Sequence, residues 1–381
     1  MWKSFIKIRR YFLLYGFGRT YIKIIGRLRY GLFNLQIRKK KKRYISIVGC
    51  GQFSFSTILF FLYKKLGNVF LGCYDINPKN ADTLRKFHGF KYSTKTFDEL
   101  VDDNNLKVLY IASNHYTHAE YAIKALQKNK TVYIEKPISV NYHQFIELLK
   151  AMKRYKGNIY AGYNRPFAKA IKILNKYLSG DNSPFTLTCH INGHFIPDNH
   201  WYRNKQEGTR ICGNVGHWLD LSFHLFNIRG KLPDKLKIQI NYSNELIPDD
   251  NINISYTTDI GDLVSIVITS RNEPFEGISE IINFQNSTII AKIDDFKKIT
   301  IWKSHKRLIK KFWPKDVGHK HAILQPFSGI TRDWKEVELS TLLMLHITDM
   351  VRNKQGLSDF DISEAYKNLK ENLYETNNSR P

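Results

Sequence analysis

VGCGQFS, residues 48–54, is the most informative segment of the chain, because it follows the apolar run YISIV and leads into a helix-compatible segment. Gly49 and Gly51 suit the tight turn of a dinucleotide-binding loop, in which the backbone must approach a pyrophosphate at a helix N-terminus. Ser54 stands in place of the third glycine of that motif, and it is still small enough for close packing of the helix on the strand. A simple turn would produce the same letters, so the motif alone leaves both interpretations open.

The acid that such a motif requires comes at the end of the next apolar run. VFLGCY is followed by Asp75, which lies 24 residues after Gly51 and is the first acidic residue in the chain. A carboxylate at this point accepts hydrogen bonds from both hydroxyls of the adenosine ribose and repels a 2′-phosphate, so the pattern favours NAD over NADP. The alternative is a strand-end aspartate that caps the helix around Pro78.

The pattern of apolar runs along the chain predicts two domains. Across residues 44–165, short apolar runs such as VLYIA and TVYIE alternate with amphipathic helical segments, which predicts an α/β Rossmann domain with a parallel sheet. Across residues 166–355, longer alternating strands such as FTLTCHI and LKIQINY favour an α+β domain with a largely antiparallel open sheet. Residues 356–381 are expected to form a C-terminal segment with a frayed tail.

The formal net charge of +25 is concentrated in an N-terminal arm. Residues 1–43 contain 14 Lys and Arg and no acid, which leaves a net charge of only +11 for the rest of the chain. Phe5, Ile8, Phe12 and Tyr15 fall at helical spacing opposite basic residues, a pattern typical of a helix that lies in an anionic membrane surface. An arm that packs on its own enzyme or on a second subunit is the alternative. Nucleic-acid binding is not expected, since no nucleic-acid motif is recognised.

Cysteine content and hydropathy limit the environment. The four cysteines show neither CxxC pairing nor the density of a disulfide scaffold, so a cytoplasmic location is expected, with peripheral membrane contact if the arm binds lipid. No stretch approaches the length of a transmembrane helix, and the apolar run at 11–17 is short for a secretory signal.

Two later stretches, IASNHYTHAEYAIKAL and VYIEKPISV, follow predicted strands. Here the sequence resembles the Gfo/Idh/MocA oxidoreductases, the family of glucose-fructose oxidoreductase and inositol dehydrogenase. The resemblance covers about residues 43–350, and its nearest branch is associated with surface-polysaccharide and nucleotide-sugar metabolism. The matching segments are Ser113–His118, the EKP motif Glu135–Pro137, GYNRPF at 162–167, GHFIPDNHW at 193–201 and GNVGHWLDL at 213–221.

The resemblance implies a dehydrogenase that acts on CH–OH groups of a sugar-like substrate, preferably a nucleotide sugar. A lysine at the carboxyl edge of a parallel sheet lies where ligands bind, and the ammonium of Lys136 could stabilise a developing alkoxide. An imidazole ordinarily titrates near neutral pH, so the side chain of His217 suits a general base. The family usually has an aspartate four residues before this histidine, but residues 212–214 contain no carboxylate, and Asn214 can orient a substrate without taking its proton. The alternatives are a surface Lys136 paired with Glu135 and a buried, structural His217.

The predicted site is therefore extensive. The expected catalytic pair is Lys136 and His217. The residues expected to bind NAD are Gly49, Gly51, Gln52, Phe53, Asp75, Ser113, Asn114, His118, Glu135, Lys136 and Arg165. The residues expected to bind substrate are Tyr163, His200, Trp201, Asn214 and Asp220.

No metal site is expected, because His190, His194 and His200 are not completed by a Cys or carboxylate at a convincing spacing. The expected partners are a small-molecule sugar substrate and further copies of the chain in a homo-oligomer. Two rival functions stay open at this point. One is an NAD-dependent glycosidase that uses transient oxidation, and the other is a cofactor-binding scaffold without turnover.

Overall fold

The structure is a computed structural model that describes residues 2–29, 42–244, 246–272 and 277–373. The described residues form two compact units. The parallel-sheet unit comprises the described residues of 15–162 and 319–331, and the mixed-sheet unit comprises those of 2–14, 163–318 and 332–373.

Up to residue 162 the chain alternates strands and helices. Apolar side chains fill the strands, and β1 and β4 are buried along their whole length, as expected for a sheet covered on both faces. The elements are α1 (Trp2–Leu28), β1 (Ile45–Val48), α2 (Leu59–Leu66), β2 (Phe70–Tyr74), α3 (Pro78–His88), β3 (Tyr92–Ser93), α4 (Phe97–Val101), β4 (Val108–Ile111), α5 (His118–Gln127), β5 (Thr131–Ile134), α6 (Tyr142–Arg154) and β6 (Ile159–Ala161).

The six described strands of this unit are all parallel, in the order β3-β2-β1-β4-β5-β6. This is the strand order of the doubly wound dinucleotide-binding fold, in which ligands bind at the carboxyl ends of the strands. The predicted parallel sheet is confirmed.

The rest of the described chain forms the mixed-sheet unit, apart from residues 319–331, which belong to the parallel-sheet unit. Alternating burial along β7 and β8 shows that one face of its sheet is covered, and α8 and α10 pack together. The elements are α7 (Lys169–Leu178), β7 (Thr186–Asn192), α8 (Gly216–Arg229), β8 (Lys235–Tyr242), β9 (Ile252–Thr258), β10 (Leu263–Thr269), β11 (Ser279–Gln285), β12 (Ile290–Asp294), β13 (Lys298–Lys303), β14 (Lys306–Lys311), α9 (His319–Ile323), α10 (Trp334–Arg352), β15 (Leu357–Asp361) and α11 (Ile362–Asn372).

Nine described strands form this second sheet, in the order β14-β13-β12-β11-β7-β10-β9-β8-β15. Every neighbouring pair is antiparallel except β7 and β10. The predicted, largely antiparallel sheet is confirmed.

The segment at 319–331 packs with the parallel-sheet unit, although the sequence-based boundaries assign it to the α+β domain. The Tyr110 hydroxyl donates to the carbonyl of Ile323 at 2.7 Å, and the Gln325 amide donates to the carbonyl of Ala161 at 3.0 Å. The predicted C-terminal segment likewise joins a sheet through β15. The tail expected to fray lies at 374–381, outside the described residues.

The N-terminal arm forms helix α1, which is broken at Gly16, where φ is +79°. Ile22 and Ile25 are buried in the core of the parallel-sheet unit together with Phe55 and Ile58. The interpretation that the arm packs on its own enzyme is therefore confirmed for this half of the helix. The lysine run lies outside the described residues except for Lys42.

Candidate active site

The glycine loop follows β1 in a conformation that only glycine permits. Gly49 has a φ of +82°, and a Cβ there would lie 2.3 Å from the carbonyl oxygen of Ala112. A Cβ at Gly51 would meet no atom within 4 Å, so the loop faces open space at that point. The Ser54 hydroxyl donates to the carbonyl of Gly49 at 2.5 Å, so the serine that replaces the third glycine also braces the loop.

Asp75 lies directly beside this loop. One carboxylate oxygen accepts the backbone N–H of Cys50 at 2.7 Å, and the other accepts that of Asn77 at 2.8 Å. The helix α3 is capped by the Asn77 side chain, which accepts from the backbone N–H of Lys79, so the alternative of Asp75 as the cap of α3 is wrong. Since carboxylate oxygens have further lone pairs, Asp75 can still accept from ribose hydroxyls.

The arm contacts the same loop, which the sequence did not reveal. Arg29 donates to the carbonyl of Cys50 at 2.6 Å and to the Asn80 side chain at 3.0 Å. The Gln52 amide donates to the carbonyl of Lys23 at 3.1 Å. The Gln52 side chain thus binds the arm, which leaves its backbone for the predicted cofactor role. The signal for Arg29 was its place in an acid-free segment, and nothing in the sequence showed where it would dock.

The loop after β4 is tied to the loop after β5 by His118. Its ring nitrogens lie 3.0 Å from the carbonyl oxygen of Ser113 and 2.8 Å from that of Pro137. Burial lowers the pKa of His118 to about 4, so the ring is neutral and only one nitrogen donates. His118 is therefore a positioning residue. Asn114 precedes a 3₁₀ turn, and the Ser113 hydroxyl lies 2.8 Å from that of Thr117.

The EKP motif follows β5. Glu135 is buried and accepts hydrogen bonds from the Tyr133 hydroxyl at 2.9 Å and from the backbone N–H of Lys136 at 3.3 Å. Glu135 is therefore not a surface residue, and whether it pairs with Lys136 stays open. Lys136 itself is half-buried at the carboxyl end of β5.

Strand order brings the three motif loops together. β1, β4 and β5 are neighbours in the sheet, so residues 49–51, 113–118 and 135–137 all leave the same edge. Phe53 follows the first loop, and its ring packs edge-to-face with that of His319, with the ring centroids 5.4 Å apart.

In the mixed-sheet unit, a π-helical turn at Ile211–Val215 leads into α8, which begins with Gly216 and His217. π-helical turns are frequent at functional sites. His217 is 8% exposed, and the ring of Tyr163 lies edge-on to it at 6.3 Å. The Oδ1 atom of Asn214 has no hydrogen-bond partner among the described residues.

Tyr163 packs against His217 from the interior of this unit. Its side chain is 1% exposed, and its hydroxyl contacts the sulfur of Met344 at 3.7 Å. The structure thus gives Tyr163 a positioning role in place of the predicted substrate contact.

Asp220 also differs from its predicted role. It is fully buried, and both carboxylate oxygens accept from Arg332 at 2.7 Å. Burial raises the pKa of Asp220, and Arg332 opposes that shift. The helical spacing that placed Asp220 on the face of His217 did not show that this carboxylate is committed to an internal ion pair.

Arg165, predicted to contact the cofactor, is committed in the same way. Its guanidinium donates to Glu280 at 2.7 and 3.2 Å and to Asn164 at 2.9 Å, and it lies 5.1 Å from the ring of Trp218. A buried guanidinium must be paired, so Arg165 is a structural residue of the mixed-sheet unit.

His200 and Trp201 lie in a loop beside a cleft. Their rings stack at 5.6 Å, and burial lowers the pKa of His200, with Arg203 adding to the shift. Tyr202 of the same loop lines the cleft, whose volume is about 700 Å³. His190 and His194 are exposed. Among the described residues, no group of three or more His, Cys, Asp or Glu side chains could hold a metal ion.

Residues 43–163 match the model of the Gfo/Idh/MocA oxidoreductase family, described as an NAD-binding Rossmann fold. The match shows that residues 43–163 form the NAD-binding Rossmann domain found in the Gfo/Idh/MocA oxidoreductases. The predicted resemblance to that family and the NAD-binding type of this domain are confirmed.

The proteins that are similar to part of this chain include a sugar-phosphate dehydrogenase and a polyol dehydrogenase. The chain is 26% identical over 184 residues to glucose-6-phosphate 3-dehydrogenase of Bacillus subtilis, and the aligned region covers 44% of this chain and 51% of that relative. It is 27% identical over 135 residues to myo-inositol 2-dehydrogenase of Thermotoga maritima, which covers 35% and 39%. The chain thus spans about half, or less, of the length of these curated relatives.

A solved structure shares the fold over most of this chain. Levoglucosan dehydrogenase in complex with NADH and levoglucosan has a TM-score of 0.69 and 16% sequence identity, and the match covers 84% of this chain and 99% of the other. At that identity the likeness shows the shared fold.

Proposed function

We propose that this protein is an NAD-dependent oxidoreductase that transfers hydride between nicotinamide and a hydroxyl of a sugar-like substrate. The observation that carries the proposal is the meeting of the glycine loop, the 113–118 loop and the EKP motif at one edge of the parallel sheet. Ligands of doubly wound sheets bind at this edge. The named relatives, which act on a sugar phosphate and a polyol, support the substrate class.

The residues present fit the cofactor. The open loop at Gly51 leaves room for the pyrophosphate against the backbone, and Asp75 lies where the adenosine ribose is held. The loop at 113–118 would line the nicotinamide side. Bound there, the nicotinamide ring would supply the hydride acceptor.

Two side chains would act on the substrate hydroxyl. Lys136 donates a hydrogen bond to the oxygen and stabilises its negative charge as the C–H bond breaks. His217 accepts the hydroxyl proton as a general base. Asn214, whose Oδ1 atom lacks a described partner, accepts from a second hydroxyl and orients the sugar. This arrangement needs no carboxylate at the position of the usual aspartate.

We further propose a nucleotide sugar as the substrate. Support comes from the resemblance, over about residues 43–350, to a branch of the family that is associated with surface-polysaccharide and nucleotide-sugar metabolism.

The test is a screen of free sugars, polyols, sugar phosphates and nucleotide sugars with purified protein and NAD⁺, followed by NADH absorbance. Lys136→Met is the loss variant, and Lys128→Met, an exposed lysine paired with Asp102 in the same unit, is the matched control. NADH formation that Lys136→Met removes and Lys128→Met keeps supports the proposal. Substrate cleavage without net NADH would indicate the glycosidase, and tight NADH binding without any turnover would indicate a scaffold.

A further inference from the structure

Two segments hold almost all of the excess positive charge. Besides residues 1–43, the stretch 297–315 contains eight Lys and Arg and no acid. Together the two segments contain 22 of the 59 basic residues, which leaves 37 basic and 34 acidic residues, a net charge of +3, in the rest of the chain. The positive charge is therefore a local feature of two segments.

The two segments meet in the mixed-sheet unit. The indole N–H of Trp313 donates to the carbonyl of Leu13 at 2.8 Å, and the backbone N–H of Lys315 donates to the carbonyl of Leu14 at 2.9 Å. The first half of α1 thus lies against residues 313–315, which follow β14, the edge strand of the nine-stranded sheet.

Large apolar side chains of both segments stay exposed. Phe5 is 60% exposed, Phe12 41%, Leu13 55% and Trp313 70%. Strand β14, which ends two residues before Trp313, carries four exposed basic residues, and no ion pair to these four is found among the described residues. We call this set the basic aromatic face, and its members are Phe5, Phe12, Leu13, Trp313, Lys306, Arg307, Lys310 and Lys311.

We propose that the basic aromatic face binds an anionic membrane surface, so that the enzyme is a peripheral membrane protein. Aromatic and aliphatic side chains insert at the depth of the lipid headgroups, while adjacent Lys and Arg side chains are attracted to anionic lipid. No described helix is long and apolar enough to cross a membrane. The contact is therefore one of lying on the surface.

Edge protection, a symmetric dimer and a bound nucleic acid would each use only part of this face. Lysines on an edge strand prevent edge-to-edge pairing, but they do not require the exposed Phe12, Leu13 and Trp313 beside them. A second copy docked symmetrically on this face would bring the basic residues of β14 against one another. A nucleic acid would use the charge but would leave the apolar side chains in water.

The first test measures flotation of the full chain with phosphatidylcholine vesicles with and without phosphatidylserine. Wild-type protein should float with the anionic vesicles only. Each basic residue near an anionic surface contributes about fivefold in affinity, so Lys310→Glu with Lys311→Glu should weaken binding at least about 30-fold. Lys64→Glu with Lys65→Glu, a pair at the end of α2, makes the same charge change elsewhere and should leave flotation unchanged.

The second test separates membrane from nucleic acid. Phe12→Gln with Leu13→Gln should abolish flotation with only a small change in the thermal unfolding midpoint, since Phe12 is 41% and Leu13 55% exposed. A labelled RNA of mixed sequence is titrated in parallel. Absence of flotation by wild-type protein, equal flotation with neutral vesicles, or RNA binding that only the charge variant loses would each overturn the proposal.

Discussion

Asp75→Asn should shift cofactor selectivity from NADH towards NADPH. The carboxylate accepts the backbone N–H groups of Cys50 and Asn77 at 2.7 and 2.8 Å, and ribose hydroxyls would add charge-assisted bonds. Such bonds contribute about 1.5 to 3 kcal/mol, so NADH affinity should fall about 10-fold to 100-fold. The amide carries no charge to repel a 2′-phosphate, and at an effective dielectric of about 20 that repulsion is worth a few kcal/mol at close range. The ratio of the NADPH and NADH dissociation constants should therefore fall at least about tenfold.

The assay is fluorescence titration of wild-type and variant protein with NADH and with NADPH. Asp82→Asn is the matched control, because Asp82 lies on α3 of the same unit and pairs only with Arg85 and Lys86 in the described structure. An unchanged ratio in Asp75→Asn would refute the assigned role of the carboxylate, as would tighter binding of NADPH by the wild-type protein.

Three further predictions concern the parallel-sheet unit. Arg29→Ala should lower NADH affinity, and it should lower the free energy of unfolding by about 2 kcal/mol, because a charged hydrogen bond to the glycine loop is lost. Arg27 is exposed, so Arg27→Ala should leave both quantities unchanged in NADH titrations and urea unfolding. The free energy of unfolding should fall by about 2 to 3 kcal/mol as the pH drops from 7.5 to 4.5, because the pKa of His118 is near 6.5 in the unfolded chain and about 4 in the folded one. Denaturant unfolding of His118→Gln should lack this fall in stability. A pH profile identical to that of the wild-type protein would contradict the prediction. Gly49→Ala should destabilise the protein by more than about 2 kcal/mol, because the positive φ and the close Ala112 carbonyl exclude a Cβ. Gly51→Ala should lower NADH affinity with little change in the unfolding midpoint. Loss of stability in both variants would show that the loop is not open at Gly51.

Local patterns sufficed for the elements that position the site. The runs predicted as strands at 69–74, 108–112 and 131–135 correspond to β2, β4 and β5, since buried parallel strands leave an unbroken apolar signal. The strands β3 and β6 were missed because they are only two and three residues long.

Long-range pairing explains the roles that the sequence misplaced. Asp220 and Arg165 both lie in motif segments, but their partners, Arg332 and Glu280, are 112 and 115 residues away. The sequence of a motif is the same whether its titratable side chain faces a ligand or a buried counter-charge. The docking of Arg29 on the glycine loop was hidden for the same reason.

Lys136 is the residue on which the proposed hydride-transfer step depends most. The most direct measurement is single-turnover stopped-flow hydride transfer by Lys136→Met, using a substrate from the screen, with NADH affinity measured separately. Loss of one preorganised stabiliser costs about 3 to 4 kcal/mol, so the rate should fall at least about a hundredfold while NADH affinity stays close to that of Lys128→Met. Hydride transfer at a near wild-type rate in Lys136→Met would contradict the proposed mechanism.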